Sequence, residues 1–355
     1  MSSHVNFEPL SPVFGATVTG VDFSAPVSSE VQQEIQNALH QYGVLVFRGT
    51  ALDDQKHVEF AKMFGAIDKL NIPPGSGIKA RFETDELQDQ GNLGLDGNVL
   101  PEDSPKAHFN KVHDVQGNLL FHVDNSYHPQ RVKYSLLRAH ELPPPGAGGN
   151  TDFVDLRRAW DDLPEAKRAE LAAGDYRVRH SMWHSRKLAS PDFFARLDAA
   201  KYPSSLRRLV QRHPDTGRTC LSVASHCFEV DGLPAAESRD LLDYLWAHAT
   251  RDEYVLSLPW LGRGDVMIWD NRCVMHRGRP LTGPFKRDLR RATILDEGPE
   301  AWSFDAEDYD FMKFWSAAFH VMQQYDAGVQ EAAKKQLGLA GKDVTGLDES
   351  IPQAL

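Results

Sequence analysis

The chain has 355 residues, 41% hydrophobic and 25% charged, with a formal net charge of −11 at pH 7. These proportions fit a globular protein with an ample core, and the negative balance argues against nucleic acid or an anionic membrane as the main partner. Cys220, Cys227 and Cys273 are odd in number and lack C-x-x-C spacing, which argues against a disulfide framework or zinc ribbon and fits a reducing compartment.

The first ten residues carry no cationic segment followed by an apolar run, and no stretch approaches the ~18 apolar residues of a membrane span, so the expectation is a soluble, cytoplasmic protein. In chain order, residues 10–23 combine Gly15 and Gly20 with alternating apolar positions, which predicts short strands and turns. Ser28-Ser29-Glu30 starts a helix whose stripe is Val31, Ile35, Ala38 and Leu39. Val44 to Phe47 reads as a buried strand, and 53–64 as a helix with Val58, Ala61 and Phe64 inward. From Asn71 to Gly117 the chain is polar and rich in Gly and Pro, which predicts a lid rather than a passive loop, because it leads straight to His122.

Thr151 to Val154 reads as a strand, with Asp155 capping a helix that runs to Leu163. At least one more helix is expected within 165–200, then a hairpin over 206–223 and a helix at 235–249 buried through Leu241, Leu242, Leu245 and Trp246. Val266 to Trp269 is read as a strand entering His276, and Arg287 to Leu295 as the strand after it. Phe311, Phe314, Trp315, Ala318, Phe319 and Met322 form an apolar face at helical spacing, suited to packing on the main domain or on a second copy of the chain. The expected organisation is one domain over 1–300 with a lid at about 71–117, followed by a helical C-terminal extension over 301–355.

His122-Val123-Asp124 and His276 carry the chemistry. In an extended segment, residues i and i+2 project to one side, so His122 and Asp124 can share an ion. Two imidazoles and one carboxylate on one side of a metal leave neighbouring positions open, which is the facial triad of non-heme Fe(II) sites. In a strand, Arg287, Leu289, Arg291 and Thr293 share a face, and two inward guanidiniums imply anions in the pocket. A second His-X-Asp, His213-Pro214-Asp215, runs into Thr216-Gly217 and is read as a hairpin turn, with near-normal activity expected for His213→Ala.

Several further motifs stand in order with these: Leu10 to Ala16 with Gly20-Val21-Asp22, Val44 to Arg48, Gly117 to Asp124, Gly148-Gly149-Asn150-Thr151, Trp269-Asp270-Asn271-Arg272, and Arg290 to Leu295. On these motifs, from about residue 7 to 297, the chain resembles the taurine dioxygenase / 2,4-dichlorophenoxyacetate dioxygenase (TauD/TfdA) family of Fe(II)- and 2-oxoglutarate-dependent oxygenases. The stretches from Ala224-Ser225-His226 to Gly278 look closest to its aryloxyacetate branch. The resemblance implies a mainly β protein with flanking helices around a double-stranded β-helix (jelly roll, cupin-like) core. It implies Fe(II) on His122, Asp124 and His276, 2-oxoglutarate on Arg287 and Thr151, and O2 as the oxidant, with succinate and CO2 released.

The resemblance further implies that Arg291 faces the primary substrate's anion or assists the cosubstrate, with Asn92 and Lys69 as weaker substrate-side candidates; Arg290, one residue out of phase, points away. Where the taurine branch places a substrate-binding His, this chain reads Lys69-Leu70-Asn71, which disfavours taurine. The expected partner is a small carboxylate-bearing substrate, an aryloxyacetate or an amino acid, and a homo-oligomer is left open. Three alternatives stand: oxidative cyclisation (C–N closure, aziridine-type) or desaturation of an aliphatic amino acid such as valine by the same cofactor chemistry; a non-redox metal protein of cupin-like shape, such as a zinc enzyme; and a binding module without catalysis.

Overall fold

The computed structural model describes residues 5–12, 14–70, 80–101, 116–314 and 316. The chain opens with the antiparallel strands β1 (Asn6–Pro9) and β2 (Ala16–Thr19), then helix α1 (Ser29–Tyr42), strand β3 (Val44–Phe47) and helix α2 (Asp54–Lys62). A short strand β4 (Gln88–Asp89) precedes β5 (Val132–Glu141), β6 (Thr151–Asp155), α3 (Leu156–Asp161) and α4 (Glu165–Ala173). An insertion then supplies β7 (Arg177–His180), α5 (Met182–Ala189), β8 (Ser205–Arg208), β9 (Val210–Arg212), β10 (Thr219–Leu221), β11 (Cys227–Val230) and α6 (Ala235–Ala249). The closing strands are β12 (Val255–Leu258), β13 (Val266–Asp270), β14 (Val274–Gly278) and β15 (Asp288–Leu295).

The helix ends follow the capping chemistry of the sequence. The Ser28 side chain accepts from the Val31 amide, and α1 stops at Gly43, whose φ of 73° is left-handed and whose N–H bonds back to Leu39. Asp53 caps α2 and Asp155 caps α3 in the same way.

A seven-stranded sheet runs in the order β1-β2-β3-β13-β5-β15-β4, and a second sheet has the order β12-β6-β14. Alternation along the strands sorts the core into two layers. On the inner face, Val44, Val46, Leu137, Ala139, Met267, Trp269 and Leu289 pack against Phe153, Val154, Val274 and Met275 of the second sheet. On the outer face, Leu45, Phe47, Tyr134, Leu136, Ile268, Ala292 and Ile294 pack against Ile35, Leu39, Val58 and Ala61 of α1 and α2. Both faces of β3 and β13 are therefore covered, which is why those strands read as continuous apolar runs. The architecture is the expected double-stranded β-helix, or jelly roll, with flanking helices.

Two local expectations need correction. Val266 to Trp269 is a strand as expected, but it does not run into His276: a turn at 271–273 separates β13 in the large sheet from β14 in the small one. The apolar stretch before His213 is likewise split, with β8 pairing with β7 and only β9 pairing with β10. In both places neighbouring strands belong to different sheets, and side-chain periodicity does not record that change.

Of the expected lid, 71–79 and 102–115 lie outside the described residues, as do Lys79, Trp315 and everything from 317 onward, including Ala318, Phe319 and Met322. The described end of the chain turns helical at 311–314, and Phe314 is buried beside Trp183 and Phe194. No helix among the described residues is long and apolar enough to cross a membrane.

Burial pushes the His57 and His180 imidazoles down to about 3, and those of His128 and His184 down to about 4. Below pH 6.5 the unfolded chain takes up protons that the native state refuses, so stability falls as pH falls, by up to about 1.4 kcal/mol per pH unit for each such His. Thermal melts at constant ionic strength should show Tm dropping steadily from pH 6.5 towards pH 4. A flat profile down to pH 5 would contradict this.

Candidate active site

His122 and His276 exchange both backbone hydrogen bonds, each 2.9 Å, as an isolated bridge that adds one residue pair to the small sheet beside β14. His122 is therefore held by a single bridge rather than by the expected strand, and Asp124 already lies in the turn that follows. The exchange still sets the two rings side by side, with centroids 4.2 Å apart. His122 Nδ1 lies 2.8 Å from the Leu120 carbonyl, so it carries the proton and Nε2 presents a lone pair. The His276 ring is held by packing instead, against Trp269 at 4.5 Å and Phe153 at 6.2 Å.

Asp124 Oδ1 lies 3.9 Å from His122 Nε2 and 3.8 Å from His276 Nε2. These gaps are too long for hydrogen bonds but suit three donors around one ion with bonds of about 2.1 Å. The three ligand atoms lie within 4.8 Å of one another, and all three residues are buried. Burial lowers the pKa of both imidazoles, with the Asp124 charge partly offsetting this for each. Burial pushes the Asp124 carboxyl upward, but the Arg291 charge, with the neighbouring His276 and His122 rings and the Ser135 hydrogen bond, outweighs it and holds the pKa at about 2. At neutral pH the cluster is two neutral imidazoles and a carboxylate, the protonation state a metal requires.

Strand β15 delivers the arginines. Leu289 faces the inner core while Ala292 and Ile294 face the helices. Arg290 accordingly turns to Asp54 and Asp288. Arg291 turns inward, donating from Nη1 to Asp124 Oδ1 and from Nη2 to Gln88 on β4. Arg287, just before β15, has one side-chain hydrogen bond among the described residues, to the Gln90 carbonyl at 2.9 Å. With no carboxylate beside it among the described residues, burial pushes its pKa down to about 10. Such a guanidinium is incomplete without an anion.

Thr151 opens β6 at the end adjoining Gly278 and Leu258, and its hydroxyl accepts from the Trp260 indole at 3.2 Å, leaving its own proton to give. Asn92 is in a different position from the one expected. Its carbonyl accepts from the Arg287 amide at 2.9 Å and its NH2 donates to the Phe285 carbonyl at 2.9 Å, so it pins the backbone that carries Arg287. Lys69 is 58% exposed and paired with Asp85 at 3.2 Å, so its charge is met on the surface. His213 stands at the head of the expected hairpin turn, and its ring is buried and bonded to Asp270 at 2.9 Å. Asp270 in turn binds Arg272.

Other groups near the cluster escaped the sequence reading. The buried His226 ring lies 6.0 Å from that of His122 and 4.9 Å from that of Tyr127, on which Phe314 stacks at 5.8 Å. The buried Arg186 guanidinium sits flat against Gly117, where any Cβ would collide with it, and its charge acts on His122 and Tyr127. His226 stood in a quoted motif without a role of its own, and Tyr127 and Arg186 lie in polar stretches with nothing local to single them out.

Two imidazoles and a carboxylate converging inside a jelly roll, with the Arg291 guanidinium on the carboxylate, define a 2-oxoglutarate-dependent non-heme iron dioxygenase. A sequence model of the "Taurine catabolism dioxygenase TauD, TfdA family" matches residues 6–293, and the chain belongs to that family. It is 37% identical to the alpha-ketoglutarate-dependent 2,4-dichlorophenoxyacetate dioxygenase of Cupriavidus pinatubonensis, over 81% of this chain and 97% of that one. It is 32% identical to the (S)-phenoxypropionate/alpha-ketoglutarate-dioxygenase of Delftia acidovorans, over 79% of this chain and 91% of that one. The crystal structure of AAD-2 in complex with Mn(II) and N-oxalylglycine superimposes with a TM-score of 0.70 at 33% identity, covering 83% of this chain and 99% of that one.

Proposed function

We propose that this dioxygenase oxidises a C–H bond of a small carboxylate-bearing substrate of the aryloxyalkanoate type. His122, Asp124 and His276 would hold Fe(II), Arg287 and Thr151 the distal carboxylate of 2-oxoglutarate, and Arg291 the substrate's carboxylate. The observation that carries this reading is the buried Arg287 guanidinium, which has no carboxylate partner among the described residues and is clamped through its backbone by Asn92. A non-redox zinc site gives such a guanidinium no task. The names of the relatives, with 2,4-dichlorophenoxyacetate and (S)-phenoxypropionate as substrates, support the aryloxy class.

Bound Fe(II) supplies the reaction with O2 that oxidises the substrate and converts 2-oxoglutarate to succinate and CO2. The chain's own share is placement. A bidentate, charge-assisted pair on Arg287 fixes the far end of the cosubstrate, and the Thr151 hydroxyl adds a second donor. Arg291, next to Asp124, would anchor the substrate's acid and so decide which C–H faces the metal. Phe153 and Trp269, both fully buried and packed against the His276 ring, keep water from that side.

Succinate release measured with 2,4-dichlorophenoxyacetate, (S)-phenoxypropionate and valine tests the substrate class. The aryloxy acids are expected to stimulate release above the substrate-free rate while valine does not. Stimulation by valine alone would favour the amino-acid alternative.

Arg291→Gln is expected to weaken primary-substrate binding at least tenfold more than 2-oxoglutarate binding, and to raise uncoupled succinate formation. The loss of one charge-assisted contact, about 1.5–3 kcal/mol, is of that order. Titrating each ligand separately against the variant checks this. Equal loss of both would leave Arg291 only its electrostatic support of Asp124.

A further inference from the structure

The two oxygens of Asp124 meet different surroundings. Oδ1 faces both imidazole Nε2 atoms and receives Arg291. Oδ2 accepts a hydrogen bond of 2.7 Å from Ser135 Oγ. Ser135 Oγ also lies 2.9 Å from the side-chain nitrogen of Asn271. The carbonyl oxygen of Asn271 lies 3.0 Å from Trp269 Nε1 and 3.2 Å from the backbone nitrogen of Asp124. We propose that Trp269, Asn271 and Ser135 form a one-way hydrogen-bond relay that holds Asp124 as a single-oxygen metal ligand. The proposal rests on the reading of His122, Asp124 and His276 as the metal ligands.

The direction of the relay follows from what each group can give. An indole N–H donates only, and so does a backbone amide. Both meet the same atom of Asn271, which must therefore be its carbonyl oxygen. The amide NH2 is left facing Ser135, whose hydroxyl has to accept from it. The single hydroxyl proton then has one place to go, Asp124 Oδ2. A flipped Asn271 would set its NH2 against two donors and draw the Ser135 proton away from Asp124. Trp269 and Ser135 are 0% exposed, and Asn271 and Asp124 are 4% exposed, so no bulk water competes.

The fold builds the relay from adjacent strands. Ser135 on β5 pairs directly with Trp269 on β13, and Asn271 opens the turn between β13 and β14. The Trp269 ring also lies 4.5 Å from that of His276. One side chain thus constrains two ligands, His276 by its face and Asp124 by its N–H. With Oδ2 engaged, Asp124 offers the ion Oδ1 alone, which leaves more of the coordination sphere for cosubstrate and oxygen. Ser135, Asn271 and Trp269 are positioning residues.

The test is Co(II) binding to the full chain, followed by calorimetry and by the visible absorption of the bound ion, with Tm of the metal-free protein as a fold control. Ser135→Ala and Trp269→Phe are each expected to weaken Co(II) binding by about 10–100-fold, the usual cost of losing such an outer partner, and to change the visible spectrum. Ser135→Thr, which keeps the hydroxyl, should restore both. Wild-type affinity and spectrum in Ser135→Ala would overturn the relay. If Ser135→Ala does not fold, unchanged affinity and spectrum in Trp269→Phe overturn it equally. His122→Ala separates the two levels: Co(II) binding lost there but intact in Ser135→Ala sinks the relay alone, whereas wild-type binding in His122→Ala sinks the metal assignment and the relay together.

Discussion

Alanine at His122, Asp124 or His276 is expected to remove tightly bound iron and to abolish 2-oxoglutarate turnover, while the fold survives. Each side chain supplies one of three donors lying within 4.8 Å of one another, and with two donors left the site loses the geometry that holds the ion. Asp124→Ala carries an added consequence, because Arg291 then keeps Gln88 as its side-chain partner but loses its carboxylate. Metal content by atomic absorption, read beside the far-UV circular dichroism, decides the matter. Iron retained at wild-type stoichiometry in all three variants would refute the assignment.

His213→Ala makes the contrast. It belongs to the other His-X-Asp sequence, and its ring ties the turn between β9 and β10 to Asp270. Metal binding should persist in this variant while stability drops by about 1–3 kcal/mol, the cost of a buried acceptor that loses a donor. The near-normal activity expected from the sequence is compatible with this loss of stability, which the hairpin pattern alone did not announce.

The second large effect is expected at Arg287. Its replacement by alanine should raise the Kd for 2-oxoglutarate by roughly 10–100-fold, from a loss of about 1.5–3 kcal/mol per charge-assisted hydrogen bond. Thr151→Ala should act in the same direction but more weakly, since it removes one neutral donor. Arg290→Ala should leave 2-oxoglutarate binding nearly unchanged and lower Tm instead, because its guanidinium binds Asp54 and Asp288 on the far face of β15. Ligand titration of the three variants tests the strand register directly. Equal loss in Arg287→Ala and Arg290→Ala would mean that the functional face of β15 is misassigned by one residue.

How much of this was legible beforehand depends on the range of the interaction involved. Ser28 and Asp155 announced their helices because a cap bonds within three residues, and Val44 to Phe47 announced a strand buried on both faces. Alternation placed Arg291 on one side of β15 and Arg290 on the other, since period two needs no knowledge of the partner strand. The grouping of His122 and Asp124 was local enough to infer, and His276 joined them through ordered motifs. Tertiary structure decided what those side chains touch. Asn92 sits in a polar stretch that could hold a substrate, but the fold brings the Arg287 backbone to it, so its amide is spent on the chain itself. Lys69 meets Asp85 on the surface, a pairing its own stretch of sequence does not announce. His213 follows the same pattern as His122, yet its ring ends on Asp270 because β9 and β13 converge there. Trp269, Asn271 and Ser135 were visible only as letters in separate motifs. Their relay exists because β5 and β13 are hydrogen-bonded neighbours, and strand neighbourhood is set by packing the whole chain, which no local pattern encodes.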